Sequence, residues 1–583
     1  MGSDLEKTAQ MPTAIRAIQN SRNADSCSRT IVICLDGTGD KFDNDNSNVV
    51  NFVACLKKDS ASQITYYQSG IGTYDGHGMS RGFSAAVDMA VGSGLGVHIK
   101  DAYRFLMQYY QEGDKICLLG FSRGSYTVRC LAGMLHKVGL LAAGNDAQIS
   151  FAYQFYKDDT PEGWKMSAEF KQTFCTNVTV CFIGVWDCVA SVGFIPRILP
   201  FSKSPTNTMS YFRHAMSLDE HRAKFKCCQW QQTDKESAAR ILALTSKAEP
   251  HLPSSTFDRI ISSRTKAQQQ LIEKKAAAAS KLKKDREEKL LESQFEKEDH
   301  TIAKPTSTDV LEVCKSAENF HWNSWKTSST GSVFSFRNYP KIIANQSPTV
   351  VGFTGAHCDV GGGAVPNETR HMLSRIPLRW MIRQCFECNT GIIFDTSSLA
   401  DVGIDVPSVW PTYIPNKVPV VGPSPNTMEH YESGSLPPIW RRSTALMKAD
   451  QKNEQKKKDF QKDNEGTKEQ EVFFHTHTFT DDEKRLLELL PEQVEDHFDA
   501  LQPINDMLKQ AKGWWVLEVW PVKVKIQKKA DQWEKKFAMN LGRFRPVQET
   551  EPNMHWTVKL RMEEAGYKLK NDVAKNATWN LTA

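Results

Sequence analysis

The chain of 583 residues is 40% hydrophobic and 24% charged. That is the balance of a soluble globular protein rather than a disordered one, and the length allows several domains. A net charge of +5 spread over that length gives no general attraction to polyanions, and no basic motif interleaved with aromatics is present, so no nucleic-acid partner is expected.

Residues 1–29 are polar, lack an apolar core of signal-peptide length, and read as a loose arm. No run of about 18 apolar residues occurs, so no segment is expected to span a bilayer as a helix. The fourteen cysteines show no paired spacing, and Cys34, Cys117 and Cys181 lie in apolar runs, which suits free thiols in a reducing compartment. Five Asn-x-Ser/Thr sequons, among them Asn177 and Asn580, read as chance. The expected location is cytoplasmic.

From Thr30 the chain becomes a series of short apolar runs, each ending in Gly, Asp or Ser. TIVICLDGTGD (30–40) is the first. Its β-branched core predicts a buried strand, and Gly37 permits close backbone approach in the loop that follows. DKFDNDNSN (40–48) superficially resembles a calcium loop but lacks the central Gly and terminal Glu of an EF-hand, so no metal site is expected. Two segments then fit Gly-x-Ser-x-Gly. Ser80 (GMSRG) follows a glycine-rich loop with no strand. Ser122 (GFSRG) follows the apolar run KICLLGF and opens the amphipathic SYTVRCLAGMLHKVGLL, the strand–turn–helix setting a nucleophile elbow requires. The bland alternative for Ser122 is a serine that caps the helix.

VTVCFIGVWD (178–187) predicts a strand that ends on Asp187, and TVVGFTGAHCDVGGG (349–363) one that ends at His357 before a glycine-rich turn. Strands alternating with helical patterns predict an α/β fold with a mostly parallel sheet covered on both faces. Residues 264–300 and 448–470 are charged, with little sustained apolar face, and read as solvated or disordered insertions. Beyond about 500 the chain is rich in Trp (514, 515, 520, 533, 556 and 579) and is expected to be helical. Between Lys509 and Arg545 it carries ten Lys/Arg and three Asp/Glu, so this region either docks on an acidic membrane surface or packs its tryptophans on the catalytic domain.

A serine hydroxyl needs a base, and the base needs a partner that fixes its tautomer. In α/β-hydrolases these follow in the order serine, acid, histidine. Ser122, Asp187 and His357 keep that order at strand ends. Asp359 is a rival acid but is too near His357 in sequence, and reads as loop-structuring. Cys358 lacks a separate base. The oxyanion of acyl transfer needs two backbone N–H donors, and Thr38 and Arg123 are the expected pair.

CLDGTGDKFDNDNSNVV, GFSRGSYTVR, GVWDCVASVG, HAMSLDEHR and GAHCDVGGG followed by LSRIPLRWM together resemble the α/β-hydrolase family of bacterial type VI secretion phospholipase effectors, in a fungal branch. The resemblance covers roughly residues 30–395, and the tail around WWVLEVWP, NLGRFRP and MHWTVKLR also looks like fungal members. It places Ser122, Asp187 and His357 on the family's triad positions. Cys188, Cys358 and Ala364 depart from its usual residues and bear on pocket shape. The expectation is therefore an α/β-hydrolase core over about 30–400, an extension over 401–499, a C-terminal region over 500–583, and no cofactor. It would cleave a lipid or phospholipid ester, with a small soluble ester or thioester, or a silent scaffold, as alternatives. Contact with a membrane would be peripheral.

Overall fold

The computed structural model describes residues 11–21, 28–71, 84–190, 199–200, 209–228, 349–448, 490–529, 532–547, 552–571 and 573–582. Ser80, the stretch 264–300 and all but the first residue of 448–470 lie outside them.

The four apolar runs become strands of one parallel sheet. In chain order its members are β1 (Thr30–Leu35), β2 (Gln63–Gln68), β3 (Lys115–Phe121), β4 (Val180–Trp186), β5 (Met209–Ser217), β6 (Thr349–Phe353), β7 (Asn553–His555) and β8 (Thr578–Leu581). Their spatial order is β8-β7-β6-β5-β4-β3-β1-β2. Every pairing is parallel, as expected of an α/β architecture.

β1 is buried at all six positions because the strand period of two divides its apolar run between two covered faces. Ile31, Ile33 and Leu35 join a core with α2 (Ser84–Tyr109) and α3 (Ser122–Val138). Val32 and Cys34 face the opposite core, with α1 (Asn48–Ala54) and α5 (Arg375–Glu387). A short helix, α4 (His357–Gly361), follows β6.

From β1 the chain steps outward to β2, then returns past β1 to β3 and proceeds one way to β8. The β1–β3 boundary is therefore the topological switch point, where a crevice opens at the carboxyl ends of the strands. Leu35 pairs with Gly120 across that boundary. The turn after β1 and the turn after β3 thus leave the sheet side by side.

Two sequence expectations are corrected. Residues 11–21 are not a loose arm: Ala14–Arg16 pairs with Ile393–Asp395, and Ile15, Ala17 and Ile18 are buried. An apolar triplet in a short segment suffices to dock it. The C-terminal region is not simply helical either. It supplies β7, β8 and a hairpin of Val522–Lys529 and Gln532–Ala538, in addition to helices such as α7 (Trp556–Glu564). The alternating VKVKIQKK has the period of a strand, not of a helix.

The segment before this region is tied in by charge. Helix α6 (Glu492–Ala500) lies along α5, where Arg383 forms a two-pronged pair with Glu492 at 2.6 and 2.7 Å. Arg379 bridges Asp496 at 2.6 Å and Asp499 at 2.5 Å. These pairs are buried, and removing one partner from such a pair costs about 3–5 kcal/mol.

The crossing of β1 and α3 depends on glycine. A Cβ on Gly124 would stand 2.2 Å from the Leu35 carbonyl oxygen and 2.4 Å from that of Asp36. Gly124→Ala should therefore lose about 1–3 kcal/mol in chemical denaturation, whereas Gly422→Ala, where a Cβ meets nothing within 4 Å, should unfold at nearly the wild-type midpoint.

Candidate active site

Ser122 is the first residue of α3 and has φ +56°, a left-handed conformation uncommon for a residue with a side chain. The turn from β3 into α3 is tight enough to demand it. A Cβ on Gly120 would come within 2.8 Å of the Gly124 backbone, so both flanking glycines are sterically required. The Ser122 hydroxyl is thereby held at the sheet edge beside the β1 loop: the Cβ position of Gly37 lies 3.2 Å from that of Ser122.

The structure brings the three distant residues together. His357 Nε2 lies 2.8 Å from Ser122 Oγ, and its Nδ1 is hydrogen-bonded to Asp187 Oδ2. Asp187 follows β4 with φ +38° and is fully buried. Its Oδ1 accepts from the Ser217 N–H at 3.0 Å and from Arg545 Nη1 at 2.6 Å, and Arg545 Nη2 donates to Oδ2 at 3.0 Å. Burial alone would raise this carboxyl's pKa. The Arg545 charge and the His357 bond outweigh it and hold Asp187 well below the usual carboxylate range.

His357 sits between two rings, Phe121 at 4.7 Å and Phe225 edge-on at 4.8 Å. Burial lowers its pKa and prevails over the opposing pull of Asp187 and Glu220, so the imidazole is neutral near pH 7. Its backbone N–H donates to Glu220 Oε2 at 3.3 Å. Burial pushes the Glu220 carboxyl up, but Arg222, bonded to both its oxygens at 3.0 and 2.7 Å, brings it below its usual value.

Asp359 takes no part in this chain of bonds. It accepts from the Ala356 N–H at 2.8 Å and from Asn505 at 2.7 and 2.9 Å, and burial lifts its pKa to about 6. It structures the loop, as the sequence suggested. Burial likewise raises the Cys358 thiol far above its usual range.

Of the two expected oxyanion donors, Arg123 is the second residue of α3, at the positive end of the helix dipole. Thr38 lies in the loop after β1, and its Oγ1 is buried without a hydrogen-bond partner. Asp43 N–H donates to Asn46 Oδ1 at 3.0 Å, and Asn46 N–H to Asn367 Oδ1 at 2.7 Å. Asp187, His214 and Cys227 stand close enough to surround an ion, yet Arg545 already supplies positive charge to Asp187. Burial pushes His214 down to about 3, and its Nε2 accepts from the Cys188 N–H at 3.1 Å.

Sequence reasoning missed Ser217, Glu220, Phe225 and Arg545. SLDEHR, within the quoted HAMSLDEHR, was the available signal for the first two. Arg545 stands in the quoted tail motif NLGRFRP beside Arg543, and nothing in that motif marks it as a partner of the acid.

A serine on a strand–helix elbow at the switch point of a parallel sheet, within reach of a histidine and a carboxylate, is the arrangement of the α/β-hydrolase class. The family described as "T6SS, Phospholipase effector Tle1-like, catalytic domain" matches residues 29–384, and the chain belongs to that family. An uncharacterized Saccharomyces cerevisiae protein, YEL023C, is 28% identical over 598 residues, 93% of this chain and 80% of the yeast protein. Among solved structures, an uncharacterized Pseudomonas aeruginosa protein is 14% identical over 73% of this chain, with a TM-score of 0.31. The Tle1 effector bound to the VgrG spike of the type 6 secretion system is 16% identical over 39% of this chain, with a TM-score of 0.22. The alignments span 54% and 51% of those two solved chains.

The electrostatics can be tested without any substrate. Glu220→Gln removes a negative charge facing His357 while Arg222 remains, so the His357 pKa measured by NMR should fall further. Asp359→Asn should leave it unchanged.

Proposed function

We propose that the protein is a serine hydrolase that cleaves the carboxylic ester of a lipid, such as a phospholipid, through an acyl-enzyme. The observation that carries this reading is the continuous hydrogen-bonded series Ser122 Oγ, His357, Asp187. Neutral His357 takes the Ser122 proton as Oγ attacks the ester carbonyl. The backbone N–H groups of Thr38 and Arg123 receive the developing oxyanion. Ionised Asp187 stabilises the imidazolium, which then protonates the departing alcohol. Water attacks the acyl-enzyme with His357 again as base, and Ser122 is restored.

The C-terminal region favours a lipid over a small soluble ester. Its tryptophans divide between the two fates the sequence left open. Trp514 packs on Phe225 at 5.5 Å, one ring away from His357, and Trp556 is buried. Trp515, Val516, Val519, Trp520, Phe537 and Leu541 are instead exposed, Trp520 by 62% and Val516 by 70%. Apolar groups left in water on a lysine-rich segment suit the headgroup region of an anionic bilayer. Among the described residues no helix is long and apolar enough to cross a membrane, so this contact would be peripheral.

Covalent labelling by a fluorophosphonate tests the nucleophile: Ser122→Ala should abolish labelling and Ser80→Ala should retain it. Labelling that survives Ser122→Ala would remove the assignment. His357→Ala should lower turnover by roughly four orders of magnitude or more. The substrate class is tested with Trp515→Ser/Trp520→Ser on anionic phospholipid vesicles. Vesicle hydrolysis should fall at least tenfold while hydrolysis of a short-chain soluble ester stays at the wild-type rate. Equal loss on both substrates would count against a docking role.

A further inference from the structure

Outside the residues that match the family, one side chain reaches the centre of the site. Arg545 lies well beyond residue 384, yet its two terminal nitrogens meet the two oxygens of Asp187 in a forked, parallel pairing. Such pairing fixes the plane of a carboxylate as well as its charge. Asp187 then has four donors: two from Arg545, the Ser217 N–H, and His357. A carboxylate that only had to hold an imidazole in place would need one, plus some solvation.

The segment that delivers Arg545 is itself held by directed bonds. The Glu518 carboxylate gathers the N–H groups of Ala223 and Gly542 and the side chain of Asn540. Phe544 stacks on His221 at 4.6 Å with planes 4° apart, and the Gly542 carbonyl meets His221 Nδ1 at 3.0 Å. Asn571 donates to the Arg545 carbonyl at 2.7 Å, and Val547 enters the core. The bonds to Ala223 and His221 tie this segment to the loop that follows Ser217 and carries Glu220. The guanidinium is thus positioned, not merely present.

We propose that Arg545 is a positioning residue for hydrolysis: it orients Asp187 and offsets part of its charge, so that His357 remains an unprotonated base into mildly acidic solution. The inference rests on the serine-hydrolase reading for its kinetic expression. The sign follows from simple electrostatics. An ionised Asp187 favours the imidazolium, and a cation on the far side of that carboxylate weakens this effect. Removing Arg545 should make His357 easier to protonate and leave Asp187 free to turn. Among the described residues, the groups that face this network from neighbouring elements are Glu220 and Arg222, which pair with each other, neutral His214 and the Cys227 thiol. None of them substitutes for a cation on Asp187.

The test uses the full chain with Arg545→Met and Arg545→Lys, checked for folding by circular dichroism. In Arg545→Met, kcat on a soluble ester should fall about 100-fold, the scale of a misplaced catalytic group, with little change in KM. The acid limb of its pH–rate profile should move to higher pH. Arg545→Lys keeps the charge and loses the fork, so it should leave the acid limb near the wild-type position while recovering only part of kcat. NMR titration of His357 gives the same sign without turnover: its pKa should rise in Arg545→Met. A wild-type acid limb and a wild-type His357 titration in folded Arg545→Met would overturn the proposal. If Arg545→Met does not fold, Arg545→Lys decides, and wild-type kcat in that variant overturns it. Survival of wild-type hydrolysis in Ser122→Ala would instead sink the hydrolase reading and leave the titration result standing.

Discussion

A carboxylate with no access to water must be paired, and Asp187 is such a group. The cost of burying an isolated charge is several kcal/mol even after relaxation, so the fold around Asp187 is organised to meet it. The end of β5 turns so that the Ser217 N–H points at one oxygen. The turn after β6 brings His357 to the other. A segment from the far end of the chain inserts a guanidinium that spans both. Each of these contacts crosses a different pair of elements. The charge of one side chain therefore couples β4, β5, the turn after β6 and the C-terminal region into a single unit.

The sheet decides where that unit sits. Parallel strands place all their carboxyl ends on one edge, and the reversal of strand order between β1 and β3 opens that edge to a ligand. The two glycines around Ser122 let α3 press against the β1 loop, so that the serine and the Thr38 loop lie side by side. The other requirement is dryness. Phe121 and Phe225 enclose the imidazole, and Trp514 with Arg222 backs Phe225 from the outside. Such a wall penalises the charged imidazolium by desolvation, which keeps His357 neutral beside a carboxylate.

The features that were legible in the sequence are the ones written locally. Four apolar runs, each ended by Gly, Asp or Ser, predicted β1, β3, β4 and β6, and the contrast between the settings of Ser122 and Ser80 rested on the same local pattern. The remainder depends on partners far along the chain. Ile15 and Ala17 look like ordinary residues of a polar terminus until Ile393–Asp395 offers them an edge. The three-residue β7 carries too little periodicity to announce a strand, and it exists because β6 has a free side. Arg545 is one of 73 Lys/Arg residues, and only the carboxylate it meets distinguishes it. Charge composition alone also could not separate the tryptophans that pack from those that face water, because the same short motif holds both.

Chain order gives the position of Arg545 a further meaning. Translation proceeds from the amino end at about 5–20 residues per second, and early segments begin to fold while later ones are still being made. Ser122, Asp187 and His357 all emerge before Arg545, and before β7 and β8 can close the far side of the sheet. On the proposed mechanism, a nascent chain carries its nucleophile with an acid that is neither oriented nor charge-balanced. On that mechanism a lipid-cleaving activity is delayed in time until the segment that also bears the exposed tryptophans has emerged and docked.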